Sequence, residues 1–164
     1  MTDSQARLQP LQSQLQQELH LTQQFFNILN EESQVLETGQ PDDLNRTTSL
    51  KEKIAEDLHA ATQRRGSLLE ALNLPNNLQG LRAAAAQQPE LSALVEELGA
   101  LSDRAQRLNE QNGNIINALL TNTQRMMAAL QTLTGNNTVY DASGKKKAAS
   151  VSADVPRLKP LKAG

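Results

Sequence analysis

Apolar side chains recur every seven positions in residues 91–133, LSALVEELGALSDRAQRLNEQNGNIINALLTNTQRMMAALQTL. Positions 91, 98, 105, 112, 119, 126 and 133 carry Leu, Leu, Ala, Asn, Leu, Met and Leu, and a second series starts at 94. Two series offset by three residues are the a and d positions of a coiled-coil heptad. A helix over 90–133 would be about 65 Å long, too long for a compact domain of this size. We therefore expect two other helices, antiparallel, to lie along it.

An earlier helix is predicted by an apolar series with intervals of three, four and seven residues. Its members are Leu8, Leu11, Leu15, Leu19, Thr22, Phe26, Leu29 and Leu36. The sequence GQPDD at 39–43 interrupts the series, because glycine can end a helix and proline cannot continue one. Asp42 or Asp43 is expected to cap the helix that follows. These features predict a helical hairpin.

The second helix is predicted from Leu44 to the sequence NLP at 73–75, with Gly66 as a weak point in its interior. After it, Asn76 and Asn77 are expected to cap a short helix, and Pro89 separates that helix from the long heptad segment. The predicted fold is all-α. It is an elongated antiparallel helical bundle or coiled coil of three main helices, with a short connecting helix and a disordered C-terminal tail.

The composition agrees with a helical protein. Leucine occurs 27 times and glutamine 18 times, whereas aromatic residues make up 2% of the chain. This composition argues against an all-β or α/β fold. Residues 1–133 contain 10 Lys and Arg against 16 Asp and Glu, whereas 134–164 contain 6 against 2. We predict a helical domain over 1–139 and a flexible basic tail over 140–164.

No catalytic or metal-binding constellation is present in the sequence. Cysteine is absent, and His20 and His59 lie on different predicted helices. The carboxylate pairs at 31–32, 42–43 and 96–97 are adjacent, so on helices their side chains diverge, and we expect them at solvated faces or caps. No phosphate-binding glycine motif occurs. We predict a protein that is not an enzyme and has no cofactor, no metal and no small-molecule substrate.

The heptad segment changes character near its middle. Up to Leu108 the apolar stripe is two positions wide, whereas from Ile115 onward apolar residues cover more than one face. Such a surplus is typical either of core or of a surface that binds a partner helix, and the methionines favour an adaptable surface. We predict a partner-binding surface formed by Ile115, Ile116, Leu119, Leu120, Met126, Met127, Leu130 and Leu133.

Asn112 and Gly113 interrupt the apolar pattern at the start of this surface. An asparagine at an a position of a heptad fixes helix register at some expense of stability, and we interpret Asn112 in this way. Glycine inside a helix lowers its stability by about 1 kcal/mol. Gly113 therefore indicates a close approach of another backbone, a bend, or a place where the helix opens.

The sequence resembles the FlgN family of flagellar export chaperones. The resemblance rests on LNEQNGNII at 108–116, followed by TVYDASG at 138–144 and a basic end, and it includes LKEK at 50–53. It implies a chaperone that binds hook-filament junction (hook-associated) proteins, prevents their premature assembly and delivers them to the type III export gate. The surface that takes the substrate in this family would correspond to the eight residues above. The family's tail tyrosine, which acts in docking at the export gate, would be Tyr140.

Two other functions stay open. The first is a structural coiled coil that self-associates and has no client. The second is a nucleic-acid binder that uses the basic tail, but the acidic charge of 1–133 and the lack of aromatic residues after Tyr140 make this the weakest of the three. The sequence has neither a signal peptide nor an apolar stretch of roughly 18 residues. We therefore expect a cytoplasmic protein without membrane insertion.

Overall fold

A computed structural model of the chain describes residues 3–134, together with 138–140 and 146–148. Four helices follow one another as α1 (Asp3–Thr38), α2 (Pro41–Ala71), α3 (Leu78–Ala85) and α4 (Pro89–Thr134). The predicted all-α fold, with three main helices and a short connecting helix, is confirmed. The chain forms two compact units, one over 1–117 and the other over 118–164. The predicted boundary between residues 139 and 140 stays a prediction.

The loop between α1 and α2 contains only two residues. Gly39 adopts a φ of 72°, a conformation that glycine reaches without strain, and its N–H donates to the Val35 carbonyl at 2.8 Å. Gln40 is the N-cap of α2 and Pro41 follows as its first residue. The prediction that Asp42 or Asp43 caps this helix is wrong. Both lie in its first turn, where their negative charge interacts favourably with the positive end of the helix dipole.

Helix α3 is capped as the sequence predicts. The Asn77 side chain accepts a hydrogen bond from the Gly80 N–H at 2.9 Å, which satisfies one of the free donors at the start of the helix. Asn76 has another role, because its side chain lies against Gly66 of α2. A Cβ atom at Gly66 would come within 2.5 Å of the Asn76 Nδ2 atom. Gly66 thus provides space for the loop that precedes α3.

The core of the first unit joins all four helices. Its buried members are Leu8, Leu11 and Leu15 from α1, Leu69 from α2, Leu81 and Ala84 from α3, and Leu91 and Leu98 from α4. Gln14 donates to the Ala61 carbonyl at 3.0 Å, while Lys51 contacts Glu32, so α1 and α2 run antiparallel. Gln12 contacts Glu90 near the start of both helices, and Leu29 contacts Asn112 farther along. Within this unit, α4 therefore runs parallel to α1, and the expectation that both other helices lie antiparallel to the heptad helix is wrong for α1.

We expect Gly80→Ala to destabilise the protein, because the added Cβ would lie 1.8 Å from the Pro75 carbonyl oxygen. This is a backbone atom, and it moves only if the loop before α3 moves, so a loss of about 1–3 kcal/mol is expected. Gly99→Ala is the matched control, since a Cβ there meets nothing within 4 Å and alanine favours a helix interior by about 1 kcal/mol. Urea unfolding of both variants measures the difference. Equal stability of the two variants would contradict the close approach at Gly80.

A short antiparallel strand pair lies in the second unit. β1 (Thr138–Tyr140) pairs with β2 (Lys146–Ala148), with Val139 opposite Lys147. The sequence predicted no regular structure over 141–164, so β2 differs from that expectation. The β-branched and aromatic residues of β1 favour an extended backbone. The other residues of the predicted tail lie outside the described residues.

Candidate functional site

The eight side chains predicted to bind a partner all lie on α4. Seven are exposed, with 37–83% of their surface accessible, and Ile116 is half-buried. No described residue from 118 to 134 is buried. We refer to Ile115, Ile116, Leu119, Leu120, Met126, Met127, Leu130 and Leu133 as the α4 apolar surface. Exposure of this many large apolar side chains on one helix is typical of a surface that binds another protein.

The register between α1 and α4 explains where the exposure begins. Gln12 and Glu90 are 78 positions apart, and Glu32 and Asn112 are 80 apart. The Arg104 guanidinium lies 4.7 Å from the centre of the Phe26 ring, at the same spacing. With this offset, Thr38 at the end of α1 is level with about residue 117 of α4. Beyond that level α1 has no residues with which to continue the seam.

The chemistry of the α4 apolar surface suits a helical partner. Arg125 is the one charged residue between positions 118 and 134, so almost the whole segment is apolar or neutral polar. Leu119, Met126 and Leu133 continue the heptad series, and Leu120 and Met127 widen it by one position. A wide apolar stripe of this kind can accept an amphipathic helix. Methionine side chains are flexible enough to adapt to more than one partner.

Asn112 occupies the seam, as its heptad position predicts. It is 1% exposed, and its amide group donates to the Leu29 carbonyl at 2.9 Å and to Glu32 Oε1 at 3.0 Å. Its Oδ1 atom accepts from the Ser33 hydroxyl at 2.7 Å. Lys51 of α2 donates to both Glu32 oxygens, at 3.2 and 3.3 Å. This polar network connects three helices immediately before the α4 apolar surface.

Of the three alternatives for Gly113, the structure contradicts the close approach of another backbone, and the expectation for Glu32 is wrong. A Cβ atom at Gly113 would meet nothing within 4 Å, so no other backbone approaches it closely, and α4 continues through it as one helix. Glu32 was expected at a solvated face, but it is 1% exposed. Its neighbour Glu31 is exposed and contacts Arg46 at 3.5 Å, so the two side chains diverge as expected. Asn112 and Lys51 compensate for the burial of Glu32.

Glu18 and Arg65 form a second buried ion pair that sequence reasoning missed. The Glu18 side chain is 4% exposed, and its Oε2 atom accepts a hydrogen bond from Arg65 Nη1. Two other atoms of this pair, Glu18 Oε1 and Arg65 Nε, have no hydrogen-bond partner among the described residues. A signal was available, because Leu11, Glu18, Phe25 and Glu32 are spaced by seven. Two glutamates therefore occupy a heptad series that faces the other helices.

Burial raises the pKa of the Glu18 carboxyl above its ordinary value of 4.5, although the positive charge of Arg65 opposes this rise. Between the unfolded and folded pKa values, the folded protein binds more protons than the unfolded protein. The contribution of Glu18 to stability is therefore present at low pH and is lost as the pH rises through the folded pKa.

We expect the stability of Glu18→Gln, which stays neutral, to increase relative to wild type as the pH rises from 4.5 to 7. Urea unfolding of both proteins across this range gives the difference in the free energy of unfolding. A difference that decreases with pH would mean that the attraction of Arg65 outweighs burial. The control is Glu31→Gln, because Glu31 is exposed. A substitution at Gln14 is not a suitable control, because Gln14 is itself buried.

The remaining candidate groups are dispersed. His20 and His59 are exposed on α1 and α2, and each contacts a glutamine of its own helix at 3.2 Å. No group of three or more potential metal ligands occurs within the part of the chain that the structure describes. Tyr140 lies on β1, and its side chain is outside the described residues. In that same part of the chain, no helix combines the length and apolar content needed to cross a membrane.

Comparison with known proteins identifies the family. The family model described as FlgN protein matches residues 1–148. The chain belongs to the FlgN family. The crystal structure of a flagella synthesis protein FlgN from Pseudomonas aeruginosa has a similar fold, with a TM-score of 0.57 and 24% sequence identity, over 68% of this chain and 89% of the other. No curated protein matches the chain. Membership of the FlgN family gives this protein a flagellar role.

Proposed function

We propose that this member of the FlgN family is a non-catalytic, cytoplasmic chaperone for flagellar export. Its clients are the hook-filament junction proteins, which it binds before export and keeps from assembling too early. The observation that carries this proposal is the α4 apolar surface, where seven large apolar side chains are exposed on one helix. An isolated protein gains nothing from exposing them, whereas a client helix can cover them.

The client chemistry follows from that surface. An amphipathic helix of an unassembled junction protein exposes apolar side chains that would otherwise associate with other subunits. The α4 apolar surface can cover such a helix without any covalent step. Because this segment of α4 contains few charges, binding at the surface depends mainly on apolar area removed from water.

Delivery to the export gate is a separate step, and we assign Tyr140 to it. An aromatic side chain close to the client surface in sequence is a suitable anchor for a second partner. Tyr140→Ala should therefore leave client binding unchanged while the amount of junction protein secreted into the medium falls. Loss of client binding in this variant would place Tyr140 at the client surface instead.

Co-purification from flagellated cells tests the proposal. The tagged full chain is compared with a chain that ends at Asn117, which retains the compact unit over 1–117 and lacks most of the α4 apolar surface. Recovery of hook-filament junction proteins with the full chain alone would support the client site on α4. Recovery of equal amounts with both chains would contradict it.

A structural coiled coil without a client is the second candidate, and the same exposed surface favours it. In this case a second copy of the chain covers the α4 apolar surface. Sedimentation of the purified protein separates the two functions, because the structural function requires a stable homo-oligomer in which that surface is buried. A monomer that binds a junction protein supports the chaperone.

A further inference from the structure

Arg125 is the one charged residue of α4 between positions 118 and 134, within the length of the α4 apolar surface. It is exposed. It immediately precedes Met126, an a position of the heptad, so Arg125 occupies a g position beside the apolar stripe. Charged residues at g positions determine which partner helix is accepted and in which orientation. Arg125 is therefore placed to recognise a partner helix.

Arg125 has no acidic neighbour within its own helix. The four positions one turn away on either side carry neutral residues, namely Thr121, Asn122, Ala128 and Ala129. The nearest preceding acidic residue is Glu110, 15 positions earlier, which corresponds to about 22 Å along the helix. This distance exceeds the Debye length of about 8 Å at physiological ionic strength. Among the described residues, Arg125 forms neither an ion pair nor a side-chain hydrogen bond.

We propose that Arg125 determines the specificity of the client site by pairing with an aspartate or glutamate beside the apolar stripe of the client helix. The apolar side chains of the surface provide most of the binding free energy, and the ion pair fixes the register of the client along α4. A guanidinium donates two parallel hydrogen bonds to one carboxylate, so the pair selects position as well as charge. This inference rests on the proposed chaperone function and adds the chemistry by which a client is chosen.

Charge argues against other occupants of the surface. No Asp or Glu occurs between Glu110 and Asp141, so the same surface of a second copy offers Arg125 no carboxylate. Residues 134–164 contain 6 basic residues against 2 acidic ones, so they are repelled by a further cation. An unpaired or like charge disfavours the wrong partner. The surface therefore favours a foreign helix that carries a negative charge.

Replacement of Arg125 tests the charge requirement. The probe is the purified junction protein recovered by co-purification, and calorimetry with the full chain gives the Kd. Arg125→Gln should weaken binding about tenfold, and Arg125→Glu about 100-fold, because repulsion then replaces attraction. The difference between Arg125→Glu and wild type should shrink at high salt. An unchanged Kd in both variants would overturn the proposal.

Arg64→Glu is the matched control, because Arg64 is an exposed arginine of α2 and the substitution changes the net charge by the same amount. The positions one turn away are again neutral, namely Ala60, Ala61, Ser67 and Leu68. Its Kd should change less than twofold. Equal losses for Arg64→Glu and Arg125→Glu would mean that net charge alone controls binding, and would overturn the proposal. Arg, Gln and Glu have similar helix propensities, and circular dichroism establishes that the variants fold.

Carbodiimide crosslinking identifies the partner carboxylate. Arg125→Lys keeps the positive charge and supplies a primary amine, which the reagent couples to a neighbouring carboxylate as an amide with loss of water. Crosslinked peptides that contain position 125 should include an Asp or Glu of the junction protein. Crosslinks at this position to a second copy, or to Asp141 or Asp154 of the same chain, would overturn the proposal. So would the absence of any crosslink in a complex that still forms.

Charge exchange completes the test. Replacement of the crosslinked client carboxylate by arginine should weaken binding to the wild-type chain and restore binding to Arg125→Glu to within about threefold of the original Kd. Failure of this rescue would overturn the proposal. If apolar-surface variants lose the client while Arg125 variants bind normally, only the present inference fails. A wild-type chain that binds no junction protein overturns the chaperone function and this inference together.

Discussion

Simultaneous replacement of Ile116, Leu120 and Met127 by glutamine should lower the affinity for a hook-filament junction protein by at least about 100-fold, or 2.7 kcal/mol. Burial of one large apolar side chain contributes about 1.5–3 kcal/mol, so three such side chains exceed this value even if each is only partly covered. Leu120 is 57% and Met127 37% exposed before any partner binds. Calorimetry or a quantitative pull-down with the purified junction protein measures the effect.

The fold should survive this triple replacement. Leu120 and Met127 are outside the core, and glutamine has a helix propensity close to that of leucine and methionine. Ile116 is half-buried, so the single variant Ile116→Gln is measured alongside to detect any loss of stability. Circular dichroism and urea unfolding separate a lost surface from a lost fold.

Leu50 and Leu78 provide the matched control, because they are 41% and 54% exposed and lie outside the α4 apolar surface. The double variant Leu50→Gln and Leu78→Gln removes exposed leucine in the same way, and its affinity for the junction protein should remain within about threefold of wild type. If it loses as much affinity as the triple variant, binding is a response to general hydrophobicity. If the triple variant binds normally, the proposed surface is wrong.

The sequence was sufficient to predict the helices, because each boundary depends on local chemistry. Gly39 and Pro41 end one helix and begin the next, and Asn77 caps α3 through its own side chain. The heptad over 91–133 predicted both the long helix and the seam position of Asn112. These features involve residues within a few positions of one another, so their effect can be read without knowledge of the fold.

The exposure of α4 depends on non-local register. Within residues 1–117, contacts between residues about 80 positions apart set the level that α1 reaches along α4. Periodicity is the same for a buried stripe and an exposed one. The buried glutamates were missed for a related reason, since Glu18 and Glu32 have their cationic partners, Arg65 and Lys51, on another helix.

The largest expected loss of stability is that of Glu32→Ala, at about 3 kcal/mol. Removing this carboxylate leaves the Lys51 ammonium without its acceptor in a largely buried position, and it leaves the Asn112 amide with the Leu29 carbonyl as its acceptor. Breaking a buried ion pair by removing one partner typically lowers the free energy of unfolding by about 3–5 kcal/mol. Lys51 retains some access to solvent, so the lower end of this range applies. Urea unfolding should show a lower midpoint with an unchanged m-value.

Glu31→Ala is the matched control, because Glu31 is the neighbouring residue and its ion pair with Arg46 is about half exposed on both sides. Exposed pairs contribute about 0–1 kcal/mol, so this variant should stay close to wild type. Equal effects of the two substitutions would mean that the network around Glu32 does not contribute to stability.

Replacement of the whole network by apolar residues separates the effect of the network on stability from its effect on helix register. A variant with Glu32→Leu, Lys51→Met and Asn112→Leu leaves no buried polar group unpaired, so its stability should equal or exceed that of wild type. A seam without a polar residue specifies helix register less strongly. Because the register decides how α1 covers residues 115–117 of α4, the protection of these amides from hydrogen exchange should differ between this variant and wild type. The network would then determine how much of the α4 apolar surface is available to a client.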